Sequence, residues 1–367
     1  MTRPLKLTVL LAALVLVVTP ALAQKKQAEQ AAPPKAIGAN TMLAVYVDVT
    51  QIDPEFINGL GGMLMGLADN QALEDQDLAL PLGDPQELTD MITLLRGSFI
   101  QAGGEALMMT VEMPGEESWS PPMSLLAKTN DKFDAVSMEA LIRTMGEGEM
   151  DAAFEALGAG WQNIALESKE GDAVTLPLPE PDADAFDAIN KQLTQHKKPM
   201  LAVAFRMQDQ LREMMDQAEQ AAKQAQANPG QGQDAQQQMA MGMMMGMFKP
   251  IRALDTIGLA ISEVEDGEML VDARMTFQDA VSAQQFANLY NTIVMLAPVM
   301  MAGAAQDGQA ENMPDPATIN QFFMKLRMTV AGDSLTLTLD QDFFDLAEKM
   351  SPLFEGLNAE GAGGFDL

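Results

Sequence analysis

The chain has 367 residues, 47% of them apolar, with 22 Lys+Arg against 52 Asp+Glu for a formal net charge of −30. That length accommodates two ordinary domains or one large one, and the charge excludes nucleic acid as a partner, because a strongly acidic chain repels the phosphate backbone. The absence of cysteine rules out disulfides, thiolate metal sites and cysteine nucleophiles, and a lone His196 rules out multi-histidine metal sites.

The chain opens as a leader. Arg3 and Lys6 precede an apolar run from Leu7 to Val18, Pro20 breaks it, and Ala21-Leu22-Ala23 follows. A basic end, a short apolar stretch and an Ala-x-Ala site predict a secretory signal peptide over residues 1–23, cleaved before Gln24. The run is too short for a membrane span, so the mature chain is expected in the periplasm or outside the cell, not as an integral membrane protein. Residues 24–40, with Pro33-Pro34, read as a linker.

Beyond the linker the sequence repeats itself. Met42-Leu43-Ala44-Val45 recurs as Met200-Leu201-Ala202-Val203, and Gly104-Glu105-Ala106-Leu107 as Gly267-Glu268-Met269-Leu270. Asp134-Ala135-Val136-Ser137 recurs as Asp279-Ala280-Val281-Ser282. Gly171-Asp172-Ala173-Val174 recurs as Gly332-Asp333-Ser334-Leu335, and Asp184-Ala185-Phe186-Asp187 as Asp342-Phe343-Phe344-Asp345. Five collinear matches predict a duplicated unit, residues 41–198 and 199–355, followed by a glycine-rich tail at 356–367.

In chain order, each unit is expected to read β-α-β-β-α-β-β-α. The β-branched runs Leu43–Val49 and Leu201–Phe205 predict opening strands. Asp84-Pro85-Gln86-Glu87 signals a helix start, with Leu88, Met91, Ile92 and Leu95 on one face. A hairpin is expected to turn Ser98–Ala102 into Glu105–Glu112 at Gly103-Gly104, and its counterpart to turn Ile257–Val264 into Glu268–Thr276 at Gly267. Met123–Lys128 is a further strand candidate. Helices follow with apolar faces at Met138, Leu141, Ile142 and Met145, and at Phe286, Leu289, Ile293, Leu296 and Met300. Second hairpins are expected at Gly171-Asp172 and Gly332-Asp333, and closing helices carry Phe186, or Phe343 and Phe344. Hairpins imply antiparallel pairing, so the predicted class is α+β, with antiparallel sheet and helices packed on it.

An insertion at about 208–247, rich in Gln, Ala and Met, distinguishes the second unit. Met207, Leu211, Met214 and Met215 fall on one helical face, and the run ending it contains Met239, Met241, Met243, Met244, Met245 and Met247. Thioethers suit Cu(I), but methionine also fills gaps and forms adaptable apolar surface. These nine methionines are the candidate surface for a protein, a peptide or an apolar ligand.

Catalytic signals are sparse. His196, in Gln195-His196-Lys197-Lys198-Pro199, lacks a recognisable nucleophile and orienting acid. Gly59-x-Gly61-Gly62 lacks the lysine of a phosphate loop. Asp182, Asp184 and Asp187, like Asp342 and Asp345, fit helix caps better than a Ca²⁺ loop, which would need a turn glycine and a closing glutamate. The sequence thus points to an exported, non-enzymatic binding or scaffold protein with no cofactor. A hydrolase built on carboxylates and a Met-rich Cu(I) binder are the alternatives.

Overall fold

The computed structural model describes residues 37–52, 85–114, 122–145, 149–169, 173–175, 178–194, 199–227, 250–263, 269–304 and 314–350. The leader, the linker to residue 36, His196, Met239–Met247 and the tail fall outside them.

Ten strands form one antiparallel sheet: β1 (Thr41–Asp48), β2 (Gly104–Glu112), β3 (Met123–Thr129), β4 (Met150–Gly158), β5 (Trp161–Ser168), β6 (Leu201–Arg206), β7 (Leu254–Glu263), β8 (Met269–Phe277), β9 (Thr329–Ala331) and β10 (Ser334–Leu339). The helices are α1 (Pro85–Gln101), α2 (Ala135–Met145), α3 (Ala183–Leu193), α4 (Asp209–Ala227), α5 (Ala280–Ala304) and α6 (Pro316–Lys325), with a further helical stretch at 341–350. The class is α+β. Strand order is β4-β5-β3-β2-β1-β6-β7-β8-β10-β9. In chain order within each half, both halves follow the same path, first-second-third-fifth-fourth.

The chain groups into two compact units. Among the described residues, one holds everything up to Ala204 together with Leu259–Val271, and the other holds the remainder. In the first unit the strands alternate between two buried faces. Val45, Val47, Leu125 and Ile164 pack under α1 and α2, while Ala44, Tyr46, Met108, Leu126 and Trp161 pack with Phe186 and Ile189 of α3. Burial on both faces explains why β1 reads as an unbroken apolar run rather than an alternating one.

The predicted hairpin at Gly103-Gly104 is not one. Ser98–Gln101 is the last turn of α1, and the Gly103 N–H donates to the Ile100 carbonyl at 3.0 Å. Gly103 has φ +86°, and a Cβ there would lie 2.6 Å from the Phe133 backbone, so it is a helix-terminating glycine in a close approach. β2 pairs instead with β1 and β3. The second hairpin of this half likewise turns early, at Gly158-Ala159-Gly160, all three at positive φ, between β4 and β5. Gly171-Asp172 lies outside the described residues, and Ala173 beyond it makes only an isolated bridge to Glu167. The counterpart at Gly332 does turn β9 into β10, with φ +64°. Gly104 and Gly267 also part company, since Gly104 begins the second strand of its half and Gly267 immediately precedes the third.

At the end of β2, burial pushes the Glu112 carboxyl above its usual range, against the lowering effect of the Thr41 hydroxyl. The folded chain holds that proton more tightly than the unfolded one. Its contribution to stability is therefore present below the ordinary value of 4.5 and is lost as pH rises through the raised value. Glu112→Gln should raise the melting temperature at neutral pH, and the gain should shrink in acid. Melts across the acidic range check this; a difference independent of pH would show that Glu112 titrates alike in both states.

The second unit is built around Met207, Leu254, Phe277, Phe286 and Leu335, with Ile319, Phe322 and Leu346 in a smaller cluster. In α5 the buried face is Ala283, Phe286, Ala287 and Val294. The predicted face drifts off it, since Ile293 is 41% exposed and Leu296 is exposed beside it. The helix α6 was not anticipated, although Asp315-Pro316 carries the same start signal as Asp84-Pro85, and the Asp315 carboxylate accepts from the Ala317 and Thr318 N–H groups.

Candidate functional site

The first unit contains a cavity of about 100 Å³ between the sheet and the helices α1 and α2. Its floor is the face of β1, β2, β3 and β5 that carries Val45, Val47, Leu107, Met109, Leu125, Ile164 and Leu166. Ile92, Leu95 and Phe99 of α1 and Met138, Leu141, Ile142 and Met145 of α2 close it from above. Both helical faces follow i, i+3, i+4 spacing, and these positions present apolar side chains to the sheet.

One lining residue is charged. Arg96 of α1 donates through Nε to the Val49 carbonyl at 3.1 Å and through an Nη2 N–H to the Thr50 carbonyl at 3.2 Å. Those carbonyls are themselves held in place. The Asp48 carboxylate accepts from the Thr50 N–H at 3.0 Å, from the Thr50 hydroxyl at 2.5 Å and from Gln51 Nε2 at 2.6 Å. The end of β1 is thus a rigid turn, and Arg96 is anchored to it at the cavity edge.

Among the described lining residues none supplies a carboxylate, hydroxyl or imidazole, so they form no acid–base pair. What the cavity offers is shape and apolar contact, to which Arg96 adds its alkyl stem while its guanidinium is held by the turn after β1. A second concavity of about 180 Å³ lies between α5 and α6 in the other unit, beside Met295, Pro298, Phe323, Met324 and Arg327.

The methionine surface expected from sequence separates on inspection. Met207 is 8% exposed in the core of the second unit, and Leu211 and Met215 pack against the same cluster. Met214 projects outward at 62% exposure. Met207 is buried just before α4, where its N–H donates to the Asp255 carbonyl, and within the helix Leu211 and Met215 lie one turn apart whereas 214 falls at the edge of the stripe. Packing of α4 is reinforced by Arg212, which donates to the Arg252 and Leu254 carbonyls and pairs with Asp209 at 2.7 Å. Met239, Met241, Met243, Met244, Met245 and Met247 lie outside the described residues.

Of the named aspartates Asp182 serves as a cap, whereas Asp342 pairs with Lys325, Asp345 accepts from Gln341, and the cap of the second cluster is Asp340 two residues earlier. Asp182 is the N-cap of α3 and accepts from the Ala185 N–H at 2.7 Å. Asp340 does the same for the Phe343 N–H at 3.2 Å. Lys325 lowers the Asp340 carboxyl chiefly by hydrogen bonding to it, and also pairs with Asp342 at 3.1 Å. Among the described residues no group of three or more His, Asp or Glu side chains could hold a metal ion, and no helix is long and apolar enough to cross a membrane.

Sequence reasoning missed the cavity and Arg96. Its helical walls were legible as apolar faces, but the floor gathers residues from four strands. Compared with known proteins, the chain matches no family model, no curated protein and no solved structure.

Proposed function

We propose that this protein is exported by a cleaved leader and acts in the bacterial envelope as a non-enzymatic binding protein, holding a small apolar ligand in the cavity beneath α1 and α2. The single observation that carries this reading is the cavity itself, with its apolar lining and one charged residue. Well-packed interiors contain few voids larger than a water molecule, and an apolar void of this size is dry and ready to take an apolar guest.

An internal duplication is part of the same reading. It is supported by the shared strand path of the two halves and by three of the five sequence matches. Met42 and Met200 both stand at the opening strand of their half. Asp134 and Asp279 both stand at the start of the helix after the third strand, each bonded to the serine three residues on, Ser137 and Ser282. Asp182 and Asp340 cap the closing helices through the same N–H three positions later.

The test uses benzene, a neutral probe close to the cavity in size. Near-saturating benzene should raise the melting temperature of the mature chain, since a ligand that binds only the folded state stabilises it by mass action. Absence of any shift with benzene, hexane or xenon would remove the reading. N-terminal sequencing of the exported protein should begin at Gln24.

A further inference from the structure

We infer that the outer edge of β4, in the first unit, docks an extended peptide of alternating basic and apolar residues, which adds to the sheet as a further strand.

β4 ends the strand order and, among the described residues, pairs only with β5. The Lys169 N–H donates to the Glu149 carbonyl at 2.9 Å, so these two residues form a hydrogen-bonded pair just before the strand. Hydrogen-bonded and non-hydrogen-bonded pairs alternate along an antiparallel ladder. In the observed register, Asp151, Ala153 and Glu155 therefore bond to β5, and the N–H and C=O groups of Ala152, Phe154 and Ala156 turn to the open side. Sheet edges are commonly blunted by shortness, lysine, proline or bulges. β9, at the other end of the order, has three residues. β4 has nine, with no lysine or proline, and its register stays regular from Met150 to Ala156. That row of donors and acceptors is a template for strand addition.

Charge selects the occupant. Successive side chains of β4 point to opposite faces of the sheet. On one face Phe154 meets Phe133 at 5.5 Å, ring centre to ring centre, and Ala152 packs against the same core as α2. The other face carries Asp151 and Glu155, both exposed, and Asp151 lies directly opposite Glu167 of β5. Like charges directly opposite one another weaken a sheet. Arg143 pairs with Asp151 at 2.7 Å but is shared with Glu139. A second copy of the chain is a poor occupant, since a two-fold antiparallel pair of β4 strands would set Asp151 and Glu155 of both copies on one face. An incoming peptide places the residues opposite Ala152 and Phe154 on the apolar face and those opposite Asp151 and Glu155 on the acidic one. It is complementary when the former are apolar and the latter are Lys or Arg.

The experiment is fluorescence anisotropy of labelled Lys-Val-Lys-Val-Lys-Val-amide titrated with the full mature chain at physiological salt, which screens general attraction to an acidic protein. This peptide should bind. The same peptide N-methylated at its valines keeps the charge and loses the ladder donors, and should bind roughly tenfold more weakly. Asp151→Lys/Glu155→Lys should reverse the choice, taking Glu-Val-Glu-Val-Glu-Val-amide in preference to the lysine peptide. Ala152→Pro removes an outward N–H and no bond to β5, and should weaken the lysine peptide roughly tenfold. If that variant fails to fold, the N-methylated peptide and the charge reversal still decide. No binding of the lysine peptide, equal binding of its N-methylated form, or an unaltered preference in the charge-reversed chain would overturn the inference. So would a dimer in sedimentation that Ala152→Pro dissolves, because the occupant would then be a second copy.

Discussion

Trp161→Ala should destabilise the protein by about 3–5 kcal/mol, a third or more of the stability of an ordinary domain. Trp161 is 1% exposed and is the largest of the fully buried side chains. It begins β5 directly after the Gly158-Ala159-Gly160 turn, opposite Lys128 of β3, on the sheet face covered by α3. Truncation would leave a void among Met108, Leu126, Phe186 and Ile189, on a face that two rigid layers keep from collapsing. Trp161→Phe is the control. The indole Nε1–H is buried without an acceptor, so phenylalanine removes an unpaired donor while keeping most of the apolar area. It should cost less than about 1.5 kcal/mol. Urea unfolding followed by circular dichroism measures both. A loss in Trp161→Ala below about 1 kcal/mol would mean that the α3 face relaxes around the void. Because the cavity lies on the opposite face, folded Trp161→Ala should still bind benzene with unchanged affinity.

The positions that were legible in the sequence are those where local chemistry and tertiary demand agree. β1 was readable because apolar residues fill both of its buried faces, with β-branched Val45 and Val47 on one of them, and α2 because Met138, Leu141, Ile142 and Met145 keep strict helical spacing. β3 announced itself as an extra strand at Met123, and it is the third strand of its half, the station that β8 holds in the other. Where the reading failed, glycine was ambiguous. Gly103 supplies positive φ at a helix end and Gly160 supplies it in a hairpin, and the side chain is the same in both. Only the contact with Phe133 distinguishes the first from a turn between strands. β4 was hidden for a different reason. Met150-Asp151-Ala152-Ala153-Phe154-Glu155-Ala156-Leu157 has the composition of a helix, and its pairing with β5 overrides that preference.

The candidate site was less legible than the fold. A cavity is a property of residues separated by most of a domain, and no window of sequence contains Val45, Leu107, Leu141 and Ile164 together. Arg96 could have drawn notice as the lone cation on an otherwise apolar stretch of α1. The methionines drew notice instead because they are consecutive, yet Met207 and Met215 do no more than fill a core. Frequency along the chain marked composition, whereas scarcity of charge within an apolar face marked the site.

Filling the cavity should abolish binding without unfolding the protein, and the second half of the chain indicates how. Counting from the paired caps Asp134 and Asp279, Met138 corresponds to Ala283, Leu141 to Phe286, Ile142 to Ala287 and Met145 to Tyr290. Met138 and Ala283 are both buried, as are Leu141 and Phe286, and Met145 and Tyr290 are both part-buried; only Ile142, part-buried where Ala287 is buried, departs from the match. In the second unit, Phe286 lies 5.6 Å from Phe277 and 6.4 Å from Tyr290, ring centre to ring centre, so aromatic rings occupy the layer between helix and sheet. In the first unit, the side chains at those two stations, Leu141 and Met145, line the cavity. The double variant Leu141→Phe/Met145→Phe places rings there, and phenylalanine at the second position keeps a hydroxyl out of apolar space. Benzene at a hundredfold excess over its Kd stabilises the wild type by about 2.7 kcal/mol, a rise in melting temperature of roughly 5–10 °C for a domain of this size. In the double variant that rise should fall to near zero. Without ligand, the variant should gain about 0.5–2 kcal/mol if the rings fit, or lose about 1–3 kcal/mol if they overpack. Either way, circular dichroism establishes that it is folded, and calorimetry well below the melting temperature reads binding directly. Wild-type affinity for benzene in the folded double variant would show that the ligand sits somewhere other than beneath α1 and α2.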